Sequence, residues 1–267
     1  MDLLKRELAP ILPAAWKAID DEAARVLKLN LAGRKLVDFS GPLGWKEAAV
    51  NTGRLDLLSD RADPDVNLGI REVQRLVEVR VPIKLSIMEL DSIARGATNP
   101  DLGAVVKAAE KVARVEDSAI FNGLAAAAIK GILPANPHPP VRTASDISLL
   151  PRAVLEAKES LRQAGVSGPY ALVLGSKLYD EVFGTVLEGH PLPRRIEPLL
   201  VERIVRATSF DGGVVLSLRG GDYELTVGGD LSVGYAHHEK HEVELYLAES
   251  FTFRVLEPAA AVRLVRG

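Results

Sequence analysis

The chain predicts an α+β fold, and three features carry that prediction. Segments with helical period dominate the first three quarters, whereas from residue 214 onward the pattern is extended. Helices and strands are therefore segregated, not alternating as a doubly wound sheet requires. Residues 49–85 hold two extended stretches separated by a polar one, the pattern of a long two-stranded arm. Hydrophobic residues make up 47% of a 267-residue chain, enough for a real core in one or two domains.

The elements follow in order. Trp16, Ile19, Ala23, Val26, Leu27 and Leu31 fall at helical spacing, so residues 13–31 read as an amphipathic helix with Pro13 in its first turn and Gly33 as its stop. Residues 35–39 read as a short strand. Residues 53–58, and 73–85 with alternating Val77, Val79 and Val81, read as the strands of the arm; residues 59–65 form the polar stretch between them. A two-stranded arm is marginal alone in water. Two arrangements are open at this point: an apolar face covered by a neighbouring subunit, or a hairpin packed on its own domain.

Ser86-Ile87-Met88-Glu89 has capping-box spacing and opens a short helix to Arg95. A long helix is expected over 101–129, with a broad apolar stripe from Leu102 to Phe121, and Gly131 after it. Pro134, Pro137, Pro139 and Pro140 mark a loop and a domain boundary. Beyond it come a helix over 146–164, a buried strand over 170–174, and shorter helices over 177–183 and 196–205. Four strands follow, over 214–218, 223–227, 242–247 and 251–256, with Arg219-Gly220-Gly221-Asp222 as a hairpin turn between the first two.

Composition excludes several classes of function. A net charge of −3 argues against binding nucleic acid by phosphate neutralisation. With no cysteine there is no disulfide, cysteine zinc site or thiol catalysis. The N-terminus carries Asp2, Lys5, Arg6 and Glu7 in place of an apolar signal core, and the longest apolar run, 124–129, is too short to span a bilayer. A cytoplasmic protein with no membrane partner is the expectation.

No catalytic constellation emerges. His237, His238 and His241 cluster with Glu239 and Glu242, but the spacing is not that of a zinc helix, and the segment reads as a solvated turn leading into a strand. Gly175-Ser176-Lys177 reverses the order a phosphate loop needs. Gly220-Gly221 and Gly228-Gly229 read as turns. Acidic pairs such as Glu116-Asp117 lie on helices, where a solvated face is the ordinary explanation. Arg194, Arg195, Arg203 and Arg206 form a basic cluster that suits a subunit contact or a solvated face better than nucleic acid. No catalytic residue, metal site or cofactor is assigned.

Two segments carry a resemblance: Gly33-Arg34-Lys35-Leu36-Val37-Asp38-Phe39-Ser40-Gly41-Pro42-Leu43-Gly44-Trp45 and Gly221-Asp222-Tyr223-Glu224-Leu225-Thr226-Val227-Gly228-Gly229-Asp230-Leu231-Ser232-Val233-Gly234-Tyr235. With the start Met1-Asp2-Leu3-Leu4-Lys5-Arg6-Glu7-Leu8-Ala9-Pro10 and Glu249-Ser250-Phe251-Thr252-Phe253, they resemble the encapsulins, shell proteins that close into hollow compartments around a cargo enzyme.

The resemblance implies the fold of tailed-bacteriophage major capsid proteins. It divides the chain into 1–48, the N-terminal helix and start of a peripheral domain; 49–82, an extended loop; 83–133, the peripheral domain with its spine helix; 134–220, an axial domain; and 221–267, strands returning to the peripheral domain. It implies an icosahedral shell of about sixty copies and a cargo held by a terminal targeting peptide, commonly a dye-decolorising peroxidase or a ferritin-like protein, with roles in oxidative stress or iron storage. Positions matching the family's peptide groove are Val26, Leu27, Leu31, Arg34, Asp38, Asp230, Leu231, Val233 and Tyr235. The apolar ones among them are also what an ordinary core would contain. Glu188-Gly189-His190-Pro191-Leu192 matches the loop that lines the five-fold pore. Some members stack a flavin on a tryptophan beside a Glu-Leu-Asp segment; Met88 stands there in this chain and offers no flat ring, so no flavin is expected. A phage or prophage capsid protein packaging DNA is the alternative within the same fold, and an enzyme in its own right is the third possibility.

Overall fold

The computed structural model describes residues 3–58, 65–144 and 146–266. Helix α1 (Pro13–Asn30) runs as expected, with Pro13 at its start and Ala15, Ile19, Ala23, Val26 and Leu27 on its buried face. A single 3-10 turn over Gly33–Lys35 follows, and strand β1 begins only at Asp38 (β1, Asp38–Ser40). The arm consists of β2 (Ala49–Leu57) and β3 (Gly69–Arg75), paired antiparallel. The polar stretch expected at its tip lies almost wholly outside the described residues.

At Val77 the chain leaves the arm. Strand β4 (Val77–Ser86) pairs with β13 (Glu242–Val255) along ten residue pairs, so the segment 73–85 is two strands with different partners, not one. The alternation that looked like an arm strand buries Ile83 and Leu85 against the body. Helix α2 (Ile87–Ala94) follows without the expected capping box: the Ser86 side chain makes no cap bond, and Glu89 instead accepts from the backbone N–H of Asp101 at 2.9 Å.

Helix α3 (Gly103–Phe121) is shorter than the apolar run that predicted it. It stops because Gly123 takes a left-handed turn (φ 85°) whose face is packed against Gly131; a Cβ on Gly131 would lie 2.3 Å from the Gly123 nitrogen. Residues 124–129 form a small bridged loop. Short α4 (Ile132–Ala135) and β5 (Val141–Thr143) lead to α5 (Leu150–Gln163), β6 (Tyr170–Gly175) and α6 (Ser176–Gly184). The β7 (Val186–Leu187) and β8 (His190–Pro191) ladder makes a tiny hairpin.

Residues expected as one helix over 196–205 divide into α7 (Pro193–Leu200) and β9 (Val201–Ala207). The β-branched Ile204 and Val205 favour the extended form, and β9 adds to β6 in parallel. Next comes β10 (Gly213–Ser217). The turn 219–222 does not close a hairpin: β10 belongs to one sheet and β11 (Tyr223–Val227) to the other. Strand β12 (Ser232–His238) precedes β13 (Glu242–Val255), one strand of 14 residues where two were expected. Strand β14 (Ala261–Arg266) completes the chain.

The first sheet has the order β1-β11-β13-β12, with β4 also on β13; the second has the order β5-β14-β10-β6-β9. After residue 220 the chain runs in the first sheet through Val255, and β14 then joins the second. Two apolar cores form, and they do not divide by sheet: β11 and the later half of β13, with Phe251 and Phe253, pack into the second core. One joins α1, the front of α3, β4, β12 and β13. The other joins α5, α7, the second sheet and the end of α3, where Phe121 is wholly buried and meets Phe210 at 5.0 Å between ring centroids. Helix α3 is thus the beam shared by both halves.

Candidate functional site

A groove of about 400 Å³ opens between α1 and the segment joining β11 to β12. Helical spacing sets Ala24, Leu27, Lys28 and Leu31 along one wall, because residues three and four apart share a helix face. Asp230 and Leu231 form the other, and Arg34 and Lys35 close one end. The floor is aliphatic, and the rim carries charge.

Of the nine positions expected to form a peptide groove, five line this one: Leu27, Leu31, Arg34, Asp230 and Leu231. Val26, Val233 and Tyr235 lie behind it, 3–8% exposed, in the core that supports its walls. Asp38 faces elsewhere. Its carboxylate accepts from the Gly221 backbone N–H at 2.5 Å, and it borders a separate polar cavity of about 220 Å³ with Lys35, Tyr223 and Pro169. Arg34 lines the groove, and Asp38 lines the other cavity. Ala24, Lys28 and Lys35 had drawn no attention in the sequence, although Ala24 and Lys28 share the helical register of Leu27 and Leu31.

Below the rim lies a charge cluster. The Arg34 guanidinium donates from Nε to Glu116 Oε2 at 2.9 Å and from Nη1 to Asp230 Oδ1 at 2.9 Å, and from Nη2 it meets Glu249. Glu116 and Glu249 are wholly buried, whereas the Asp230 side chain is 41% exposed. Glu116 and Asp117, read from sequence as a solvated helix face, are thus both interior. Asp117 accepts from the backbone N–H groups of Ala32 (3.0 Å) and Gly33 (2.8 Å), fastening the exit of α1 to α3. Burial outweighs those two hydrogen bonds and pushes the Asp117 carboxyl up to about 7. Burial and the neighbouring Glu116 carry Glu249 well above the usual carboxylate range. Burial disfavours the charge on Arg34, but Glu116, Glu249 and Asp230 outweigh it and hold the guanidinium more firmly protonated than usual.

The loop matched to a pore stands at the β7–β8 hairpin. Glu188 and Gly189 take left-handed φ values of 50° and 79° at its tip, and Glu188 pairs with Arg195. Glu188, Gly189, His190 and Pro191 are exposed, but Leu192 is wholly buried and belongs to the core. In the basic cluster, Arg206 lies 3.4 Å from Asp180 and over the Tyr179 ring. His238 Nδ1 is 2.5 Å from the Tyr235 hydroxyl in the β12–β13 hairpin, and among the described residues no three His, Asp or Glu side chains converge as a metal site. Met88 is 73% exposed. Among the described residues no helix is long and apolar enough to cross a membrane.

The arm presents apolar side chains on both faces. Strand register puts Leu55 and Leu57 on one side and Ile70 on the other, at 55%, 67% and 59% exposure. A monomer has no use for such a surface.

A long helix shared by two sheets, with a projecting arm, is a capsid-type fold. The same fold occurs in the virus-like particle from Pyrococcus furiosus (TM-score 0.65, 14% identity, covering 94% of this chain and 99% of that one). It occurs also in the capsid of Myoviridae phage XM1 (TM-score 0.55, 14% identity, 88% and 91% covered). Residues 1–252 match the family described as encapsulating protein for peroxidase. The type 1 encapsulin shell protein of Rhodospirillum rubrum is 42% identical over 99% of this chain and 96% of its own length. That of Mycobacterium tuberculosis is 41% identical over 99% of both. The chain belongs to the encapsulin shell-protein family. Its relatives are named as shell proteins, a structural role.

Proposed function

We propose that about sixty copies close into an icosahedral compartment and that a cargo enzyme, a peroxidase or a ferritin-like protein, docks through a terminal peptide in the groove between α1 and Asp230. The observation that carries the docking reading is the groove itself: an aliphatic floor of Leu27, Leu31 and Leu231 beside a fixed cation and an accessible carboxylate. Apolar anchors on the peptide gain about 25 cal/mol per Å² buried, while Arg34 and Asp230 offer directional hydrogen bonds.

In this reading α3 is the spine of a peripheral domain, residues 49–75 are the arm laid on a neighbour, and the second sheet with its helices is the axial domain. Glu188, Gly189, His190 and Pro191 ring the five-fold opening.

Microscopy of the purified particles, with mass spectrometry of what co-purifies, tests the proposal. Uniform spheres with a co-purifying enzyme support it. Ala24→Arg alters an exposed groove position and leaves the core intact; it should empty the spheres without changing their diameter. Spheres filled equally well by the variant refute the docking site, and a DNA-filled interior would favour the phage-capsid alternative that the shared fold allows.

A further inference from the structure

Glu116 and Glu249 are buried more deeply than any peptide in the groove can reach, so docking gives them no task. Their surroundings do. Helix α3 supplies Glu116 and Asp117, β13 supplies Glu249, the β11–β12 segment supplies Asp230, and the turn after α1 supplies Arg34 and Lys35. Asp117 is occupied by two backbone N–H groups. That leaves one guanidinium against three carboxyl groups, two of them with no solvent access.

One atom decides how this charge is settled. Glu249 Oε1 meets Arg34, but Glu249 Oε2 is buried without any donor. A buried ionised oxygen with no hydrogen bond is costly. A carboxylic acid in the same place has less difficulty, because Glu116 lies within hydrogen-bonding reach of Glu249 and can accept from it. Arg34 then faces one buried anion and one half-exposed anion, an arrangement that burial tolerates.

We propose that Glu249 holds a proton at neutral pH, facing Glu116, and that this proton, acting through Arg34, keeps Asp230 against the groove; when it leaves on alkalinisation, Asp230 swings into solvent and the Asp230–Leu231 wall opens. The direction follows from access to water. Once Glu249 ionises, Arg34 has three competing anions, and of these only Asp230 has a solvent-facing side chain on a connecting segment; Glu116 and Glu249 are fixed on α3 and β13. The consequence for cargo rests on the docking reading above, whereas the proton on Glu249 does not.

Trp45 provides the readout. Its ring packs directly on Gly229, one residue from Asp230. The chain has two tryptophans, so Trp16→Phe leaves Trp45 as the only indole. Assembled, cargo-free particles of this variant are titrated from acidic to alkaline pH while acrylamide quenching of Trp45 is followed, with light scattering to register particle integrity. The expected result is a reversible rise in quenching at a pH above the ordinary carboxylate range, before any loss of scattering. Adding Glu249→Gln, which mimics the protonated acid, should abolish the rise; adding Asp117→Asn should leave it. A flat curve in the parent, or a rise that persists with Glu249→Gln, overturns the proposal. Where Glu249→Gln fails to assemble, Glu116→Gln removes the other half of the acid pair and must flatten the curve equally; persistence there also overturns it. No cargo is present, so a flat curve counts against the proton alone, and cargo that ignores Ala24→Arg counts against the docking site alone.

Discussion

Replacing Leu57 and Ile70 by serine should disassemble the particle without unfolding the chain. Both lie on the arm, on opposite faces, and 67% and 59% of their surface is exposed in the single copy. Full burial of such a side chain contributes about 1.5–3 kcal/mol, so covering the exposed part contributes roughly 1–2 kcal/mol each. Their joint loss costs each arm contact about 2–4 kcal/mol, or roughly a 30- to 700-fold weaker association at 1.4 kcal/mol per factor of ten. A closed shell repeats that loss at every arm. The fold itself should not suffer, since neither residue belongs to a core cluster. Sedimentation velocity across a concentration series, with circular dichroism as the control for folding, measures both effects. Parental particles forming at the parental threshold concentration would show that the arm's apolar faces are not what joins the copies.

Arg34→Met should destabilise the fold by about 3–5 kcal/mol, because it leaves buried carboxyls without their cation; thermal unfolding at matched protein concentration should show a fall of roughly 6–20 °C, and adding Glu249→Gln should recover part of it. Asp117 gives a pH slope. Its native pKa, about 7, lies above the ordinary aspartate value of 3.8, so the fold binds the extra proton and loses stability as pH climbs between those values, by up to about 1.4 kcal/mol per unit. Denaturant midpoints from pH 4 to 7 should decline in the parent and lose that component in Asp117→Asn. Phe121→Ala should cost about 3–5 kcal/mol, since Phe121 is wholly buried where α3 enters the second core; a loss of stability below about 1 kcal/mol would contradict its place there.

The sequence disclosed those elements whose local pattern and tertiary partner agree. Helix α1, β6 and α6 lie where periodicity puts them, because each has a simple apolar stripe or run. The long helix was overextended because Leu124 to Ile129 is apolar in composition, while the Gly123–Gly131 contact that ends α3 depends on two distant backbones meeting. Residues 201–205 carry a helical expectation, yet β6 offers an edge, and pairing there agrees with the β-branched Ile204 and Val205. The groove was half legible: Leu27 and Leu31 stand out on a helix face, but Asp38, placed with Arg34 by the family resemblance, does not line it. The strand that carries Asp38 turns its side chain toward Gly221 instead. The acidic pair Glu116-Asp117 shows how little charge alone says about burial. Only the arrival of Arg34, 82 residues away in sequence, and of the Ala32 and Gly33 amides makes the interior tolerable for it.

The chain passes between its two sheets three times: after α3, between β10 and β11, and between β13 and β14. Three crossings, together with one helix rooted in both cores, tie the two halves of the chain to each other. A wall made from such tiles has to acquire its curvature at the seams. The radius of the container is then a property of how tile meets tile, and substitutions that resize it should be sought along the projecting ribbon and the edges, not inside the body of the tile.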